Sequence, residues 1–335
     1  MEKPEWAQRQ TYTLKQLHQY FDRIALPPTV RTALLSGKNT VDVDKHDEKT
    51  RLDLLTTLQR YHLAAVPFEN VYLHYSTHHT ISIDEQELFH KIVERGSGYG
   101  GYCLENNGLF GTVLRSLGYN AYSAGARVNE AAQPVAAGKN WKGPKFDGWN
   151  HMVNLVTIGI NQYLVDVGFG SNGPHSPIPL VAGKTFFNYG KQTGRLRQGT
   201  LLQHVNSSHQ QELWHYEFQN GDETAPWTPA YAFTEVEFTP DDFEIINFFM
   251  STHRSSWFTF YVVLSRMILD DAGEQIIGDL TLFNDEVRRR VGGTVELLQK
   301  LELEDDRVAA LDKYFQIRLS RSERAGIKRS VAQIL

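Results

Sequence analysis

Apolar residues recur at helical spacing through the first third of the chain. Leu14, Leu17, Phe21 and Ile24 in TLKQLHQYFDRI fall three or four residues apart, and the run ends at ALPPT. KTRLDLLTTLQRYHLAAVPFENV sets Leu52, Leu55, Leu58, His62 and Val66 on the same pattern until Pro67 stops it. IDEQELFHKIVER adds Leu88, Ile92 and Val93. A fourth helical segment, starting near Cys103, carries Leu109, Val113 and Leu117, with Gly118 where a C-cap belongs. After Gly118 the pattern shortens to β-branched and aromatic runs (YNAYSAGARV, HMVNLVTI, YLVDVGF, ELWHYEFQ, AYAFTEVEF) separated by Gly, Asn and Pro, which predicts an antiparallel sheet or barrel. TPDDFEIINFFMST returns to helix, with Thr239 as N-cap and acids in the first turn. WFTFYVVLSRMI and EQIIGDLTLF predict strands, DDRVAALDKYFQI a helix, and the basic end a frayed tail. The shifts divide the chain into a helical part, 1–118, a β-rich part, 119–235, and a mixed part, 236–335.

Composition narrows the class. A chain of 335 residues exceeds one small core. A net charge of −5 argues against non-specific nucleic-acid binding, which needs a basic surface. A single cysteine forms no internal disulfide, the N-terminal stretch has no apolar signal-peptide core, and no apolar run approaches the ~18 residues of a membrane span, so a cytoplasmic protein is expected. The 13 histidines are scattered, and His74, His78 and His79 read as a solvated loop rather than a metal site.

The glycine-rich stretch RGSGYGGYCLENNGLF, residues 95–110, holds that one cysteine. As a dinucleotide loop (Gly96, Gly98, Gly101) it fails on context. The segment before it is polar and helix-periodic instead of a buried strand, and no acid stands about 20 residues beyond it. No Gly-Lys-Ser/Thr follows, so it is no P-loop either. Read instead as an approach, Gly100 and Gly101 let the backbone turn and bring Cys103 to a helix start, where free N–H groups favour a thiolate. His151 opens one predicted strand and Asp166 lies fifteen residues on, in the next. A two-residue turn at Gly159-Ile160 would pair Asp166 with Val153 and leave His151 as its diagonal neighbour, within reach of a hydrogen bond. A carboxylate among the apolar residues of YLVDVGF needs such a partner. Cys103, His151 and Asp166 are therefore the candidate nucleophile, base and orienting acid.

These residues, with VPFENV (66–71), GGYCLENN (100–107), GWNHMVNLV (148–156), YLVDVGFG (163–170) and DFEIINFFMSTHRSSWF (242–258), resemble the arylamine N-acetyltransferases, in a eukaryotic, fungal-like form. The resemblance implies an α+β fold in three parts: a helical bundle carrying the cysteine, a β-barrel carrying His and Asp, and an α/β lid around a papain-like Cys-His-Asp core. It implies ping-pong acyl transfer from acetyl-CoA to aromatic amines or hydrazines, of the kind used in xenobiotic detoxification, with no metal or redox cofactor. Malonyl-CoA is the alternative donor, since some fungal relatives use it. By the same resemblance Phe68 and Phe169 wall the amine pocket, Gly148, Thr252 and Ser256 approach coenzyme A, and Glu105 and Asn107 support the cysteine loop.

Three features depart from the family pattern. Tyr99 stands where an arginine usually precedes Gly-Gly, with Arg95 four residues upstream; Cys103 and His151 are 48 residues apart, with an insertion near 129–148; and GKTFFNYGKQTGRLRQGT resembles an extra loop of eukaryotic members. A malonyl donor would need a cation, for which Arg95, Arg127, Lys145 and Arg254 are candidates. Papain-like proteases and transglutaminases share the triad order but lack VPFEN and DVGFG, and an inactive ligand-binding relative would not need an intact triad.

Overall fold

The computed structural model describes residues 4, 8–35, 43–133, 143–206, 208 and 211–335; the middle of the insertion near 129–148 lies outside them. Helices α1 (Leu14–Arg23), α2 (Pro28–Leu34) and α3 (Glu48–Ala65) open the chain. Thr13 caps α1 by accepting from the Gln16 N–H at 3.3 Å, and Asp47 caps α3 by accepting from the Thr50 N–H at 2.8 Å. Helix α2 starts inside the stretch read as a break, because proline fits a first helical turn, where its missing N–H has no partner to lose.

A two-residue strand, β1 (Phe68–Glu69), then precedes α4 (Val71–Tyr75) and α5 (Glu85–Phe89). The latter runs into one π-helical turn, His90–Glu94, before the glycine loop and α6 (Cys103–Ser116). Gly118, at φ +86°, ends α6 as its pattern predicts.

Strands β2 (Asn120–Val128), β3 (His151–Ile158), β4 (Asn161–Val165), β5 (Ile178–Pro179), β6 (Thr185–Tyr189), β7 (Gln192–Gly199), β8 (Leu213–Asn220) and β9 (Thr228–Glu237) form one antiparallel sheet in the order β5-β4-β3-β2-β9-β8-β7-β6. Its end strands do not meet, so the expected barrel is an open half-barrel. The segment taken as an extra loop forms the hairpin β6–β7; the buried positions of β7 are Gln192, Gly194 and Leu196, so only one of them is apolar and the strand pattern is hidden. Strand β3 is buried on both faces. Val153 and Leu155 pack within the half-barrel, while Val156 and Ile158 join the helical core of α1, α3 and α6.

The last part comprises α7 (Pro240–Thr252), β10 (Val263–Leu269), β11 (Ile276–Phe283), β12 (Glu286–Val291), β13 (Thr294–Lys300), α8 (Glu304–Phe315) and α9 (Arg321–Gly326). Trp257–Thr259 is a 3-10 turn, so the strand predicted from WFTF onward begins only at Val263. The second sheet has the order β1-β10-β11-β12-β13, which makes Phe68 and Glu69 its edge. The basic tail is packed instead of frayed: Ile327 is buried, and the buried Arg307 donates to the Ala332 carbonyl at 2.7 Å. Among the described residues no helix is long and apolar enough to cross a membrane.

Candidate active site

Cys103 is the first residue of α6, and the glycine loop places it there. A Cβ on Gly100 would lie 1.9 Å from the Pro67 carbonyl oxygen, so only glycine lets the loop pass beside β1. Glu105 accepts from the Tyr102 N–H at 3.0 Å, and its first-turn carboxylate suits the helix dipole. The N–H groups of Cys103 and Leu104 are among those an α-helix leaves without an intrahelical partner.

The β3–β4 hairpin has the expected register. Ile158 pairs with Asn161 and Asn154 with Val165, which sets Asp166 just past β4 on the diagonal from His151. His151 Nε2 lies 2.8 Å from Asp166 Oδ2, with both side chains buried. Asp166 Oδ1 accepts from Asn107 Nδ2 at 2.9 Å and from the Gly168 N–H at 2.8 Å. Asn107 also donates to the Met152 carbonyl at 2.7 Å and accepts from the Val167 N–H at 2.9 Å. One α6 amide thus fixes both strands of the hairpin against the helix that bears Cys103. The Cys103 thiol donates to the Asn150 carbonyl at 3.6 Å, one residue before His151.

The electrostatics follow from this packing. Burial disfavours the charged form of His151, but Asp166, by charge and hydrogen bond, and Cys103 outweigh it and carry its pKa up to about 10. Asp166 is held below the usual carboxylate range: burial opposes ionisation, and His151, Asn107 and the Gly168 N–H prevail over it.

Gly168 brings the strand exit against the backbone of Cys103. A Cβ there would sit 2.7 Å from Cys103 Cα and from Asn107 Nδ2. Gly168→Ala is therefore expected to cost about 1–3 kcal/mol by overpacking and to lower acylation of Cys103 more than that loss of folded protein accounts for. Urea denaturation alongside single-turnover acylation checks both.

Cys103, His151, Phe68 and Phe169 line one cavity of about 790 Å³. The Phe169 ring stands edge-on to His151 at 5.4 Å, and Phe68 lies 6.1 Å from Phe258. Gly148, Thr252 and Ser256 are not in its wall. Gly148 borders open space, exposed Thr252 donates to the Phe248 carbonyl within α7, and buried Ser256 donates to the Met250 carbonyl at 2.7 Å.

The N-acetyltransferase family model matches residues 51–324. The N-malonyltransferase FDB2 of Fusarium pseudograminearum (strain CS3096) is 40% identical over 322 residues, covering 94% of this chain and 92% of that protein. The chain belongs to the arylamine N-acetyltransferase family. Its fold agrees: the arylamine N-acetyltransferase from Mycobacterium abscessus superposes at a TM-score of 0.72 with 22% identity, over 98% of this chain and 100% of that one. The Mycobacterium marinum arylamine N-acetyltransferase in complex with CoA does so at 0.70 with 24% identity, over 95% and 99%. This arylamine N-acetyltransferase homologue is thus an acyltransferase of a family that uses acyl-CoA. Among its described residues no group of three or more His, Cys, Asp or Glu is placed to hold a metal ion.

A buried lysine stands beside the cysteine loop of this family member. Lys91, from the π-helical turn, lies buried 2.5 Å from Glu105 and 3.8 Å from Glu69. Arg95 turns outward to pair with Glu323 of α9 at 2.7 Å, and Tyr99 donates to the same carboxylate at 3.1 Å. Burial pushes Glu105 up to about 7 against the pull of Lys91. Two further groups hold the site. Gln59 donates to the Asp166 carbonyl at 3.2 Å, and the Tyr231 ring packs 5.0 Å from His151 and 4.9 Å from Phe169. Neither Gln59 nor Tyr231 has a local sequence signal, since each comes from an element distant in the chain. His74 also departs from its reading as a loop residue: it is buried, with Nε2 2.9 Å from the Phe258 carbonyl.

Proposed function

We propose that this chain transfers a malonyl group from malonyl-CoA, through a thioester on Cys103, to an aromatic amine or hydrazine. The observation that carries the chemistry is the cysteine at a helix start in a cavity it shares with a buried His151–Asp166 pair. His151 takes the Cys103 proton, and the thiolate attacks the donor carbonyl, where helix-start N–H groups stabilise the developing oxyanion. The carbon–sulfur bond to coenzyme A breaks, and coenzyme A leaves with the proton from His151. The amine then attacks the acyl-cysteine, His151 removes its proton, and the Cys103 thiolate is expelled. One thioester replaces another in the first half, so that step needs neither a metal nor a redox group.

Asp166 and Asn107 act as positioning residues for His151, and Glu105 for the cysteine loop. Phe68 and Phe169 supply flat apolar faces for a flat amine. Gly148, Thr252 and Ser256, outside the cavity wall, are left to the longer arm of coenzyme A. The malonyl choice rests on the similarity to FDB2 along nearly the whole chain. Acetyl-CoA is the second reading, supported by the family model's own description.

Intact-protein mass after brief mixing with each donor, without amine, tests this. The expected result is a gain of one malonyl group that is lost in Cys103→Ala and discharged by an added arylamine. A gain with acetyl-CoA alone would reverse the donors. No gain with either, or a gain that persists in Cys103→Ala, would overturn the proposal.

A further inference from the structure

A malonyl donor brings a free carboxylate into a mostly apolar cavity, and burying that charge without a partner is costly. The four cations that the sequence offers stand outside the wall. Arg95 pairs with Glu323, Lys145 pairs with Glu130 at 2.6 Å, Arg127 lies over the Trp149 ring at 4.1 Å, and neither they nor Arg254 line the cavity. Among the described residues, the one Lys or Arg in the cavity wall is Arg288, on β12.

The sheet register explains how it gets there. Phe68 pairs with Ser265, Ser265 with Thr281, and Thr281 with Arg288. Directly opposed residues project from the same face, so these four form one row, three strand spacings or about 14 Å from end to end. All four line the cavity. The row begins at the aromatic wall near the nucleophile, continues through two hydroxyls and ends at a guanidinium. The Ser265 hydroxyl is buried and has no hydrogen-bond partner among the described residues, although the residue is only 5% exposed. A buried hydroxyl without a partner calls for an explanation, and a ligand that accepts from it supplies one.

We propose that the row Ser265–Thr281–Arg288 receives the free carboxylate of the malonyl donor, and that Arg288 is the residue that separates malonyl from acetyl donors. This rests on the malonyl reading above. Glu286, beside it in the wall, accepts from Arg288 Nε at 3.0 Å and Nη2 at 2.5 Å. A guanidinium carries five N–H donors, so it holds a second carboxylate at the same time. Glu286 is itself shared with Lys300 at 3.4 Å, and it competes with the ligand for Arg288. An acetyl group presents only a methyl to the row.

The test is the concentration dependence of Cys103 acylation with four donors: malonyl-CoA, acetyl-CoA, and the N-acetylcysteamine thioesters of malonate and acetate, which carry no phosphate. In Arg288→Gln the KM for both malonyl donors rises about tenfold or more, as loss of a charge-assisted hydrogen bond predicts, and both acetyl donors shift by no more than about twofold. Glu286→Gln, which removes the competitor, lowers KM for the malonyl donors. A loss confined to the two coenzyme A esters would assign Arg288 to the phosphates and overturn the proposal. So would an equal loss on all four donors, or an unchanged malonyl KM. A wild-type enzyme that takes no malonyl from either donor overturns the donor reading itself, and the row with it.

Discussion

Asp166→Asn is expected to lower acylation of Cys103 by roughly 10³–10⁴-fold while leaving the fold intact. The hydrogen bonds dictate the reason. Asp166 Oδ1 receives two donors, Asn107 Nδ2 and the Gly168 N–H, so the new amide keeps its oxygen on that side. Its NH₂ then faces His151 Nε2, which must act as acceptor, and the imidazole proton moves to Nδ1. The nitrogen left for the thiol is then protonated before it can act as a base.

The variant also loses the charge that raises His151 to a pKa of about 10. Because the folded value lies above the ordinary 6.5, the ion pair stabilises the enzyme fully below pH 6.5, and that contribution is lost as pH rises through about 10. Wild-type acylation should therefore hold level from neutral pH to about 9, and the variant's profile should bend at a lower pH. Stopped-flow acylation from pH 6 to 10.5 would measure both. A variant whose profile and rate match the wild type would remove Asp166 from the mechanism.

Lys91→Met should be the most destabilising single change near the site, costing about 3–5 kcal/mol, because it leaves Glu69 and Glu105 buried together without their cation. The loss should depend on pH with a definite sign. Glu105 already titrates at about 7 in the folded chain, above its ordinary 4.5, so its ionisation opposes folding as pH rises through that window. Without Lys91 the opposition grows. The deficit in urea denaturation should be small at pH 5, full at pH 8, and largely relieved by adding Glu105→Gln. A deficit equal at both pH values would mean that Lys91 contributes by packing alone.

The parts of this site that could be read from the sequence are those set by local periodicity. The helix start at Cys103 follows from the apolar repeat of α6 and the glycines before it. The pairing of His151 with Asp166 follows from strand alternation about a two-residue turn. Phe68 and Phe169 were located by resemblance, and both reach the cavity. What could not be read depends on contacts between distant segments. Lys91 looks like any helix-surface lysine until the π-helical turn and the glycine loop bury it between two acids. Arg288 sits in EVRRRV, which carries three consecutive arginines and predicts no element. Only the register across three strands puts it in the cavity wall. The strands β6, β7, β12 and β13 escaped because they break the apolar-in, polar-out alternation: Asn188 and Gln192 are buried, Phe187, Val295 and Leu297 are exposed, and Arg288 to Arg290 run consecutively.

The two residues of β1 also set how substrates get in. Phe68 and Glu69 are paired to β10, and Asn70 next to them donates to the Phe258 carbonyl at 2.9 Å and accepts from the Val263 N–H at 2.9 Å. The sheet that roofs the cavity is thus sewn to β1, and β1 to the glycine loop before Cys103, where the Glu69 N–H donates to the Gly101 carbonyl at 2.9 Å and the Gly101 N–H to the Pro67 carbonyl at 3.3 Å. It cannot swing aside without breaking backbone bonds in its own edge. For the amine proposed above, selection is therefore expected to come from the width of the opening and the aromatic faces of Phe68 and Phe169 behind it, by sieving instead of closure.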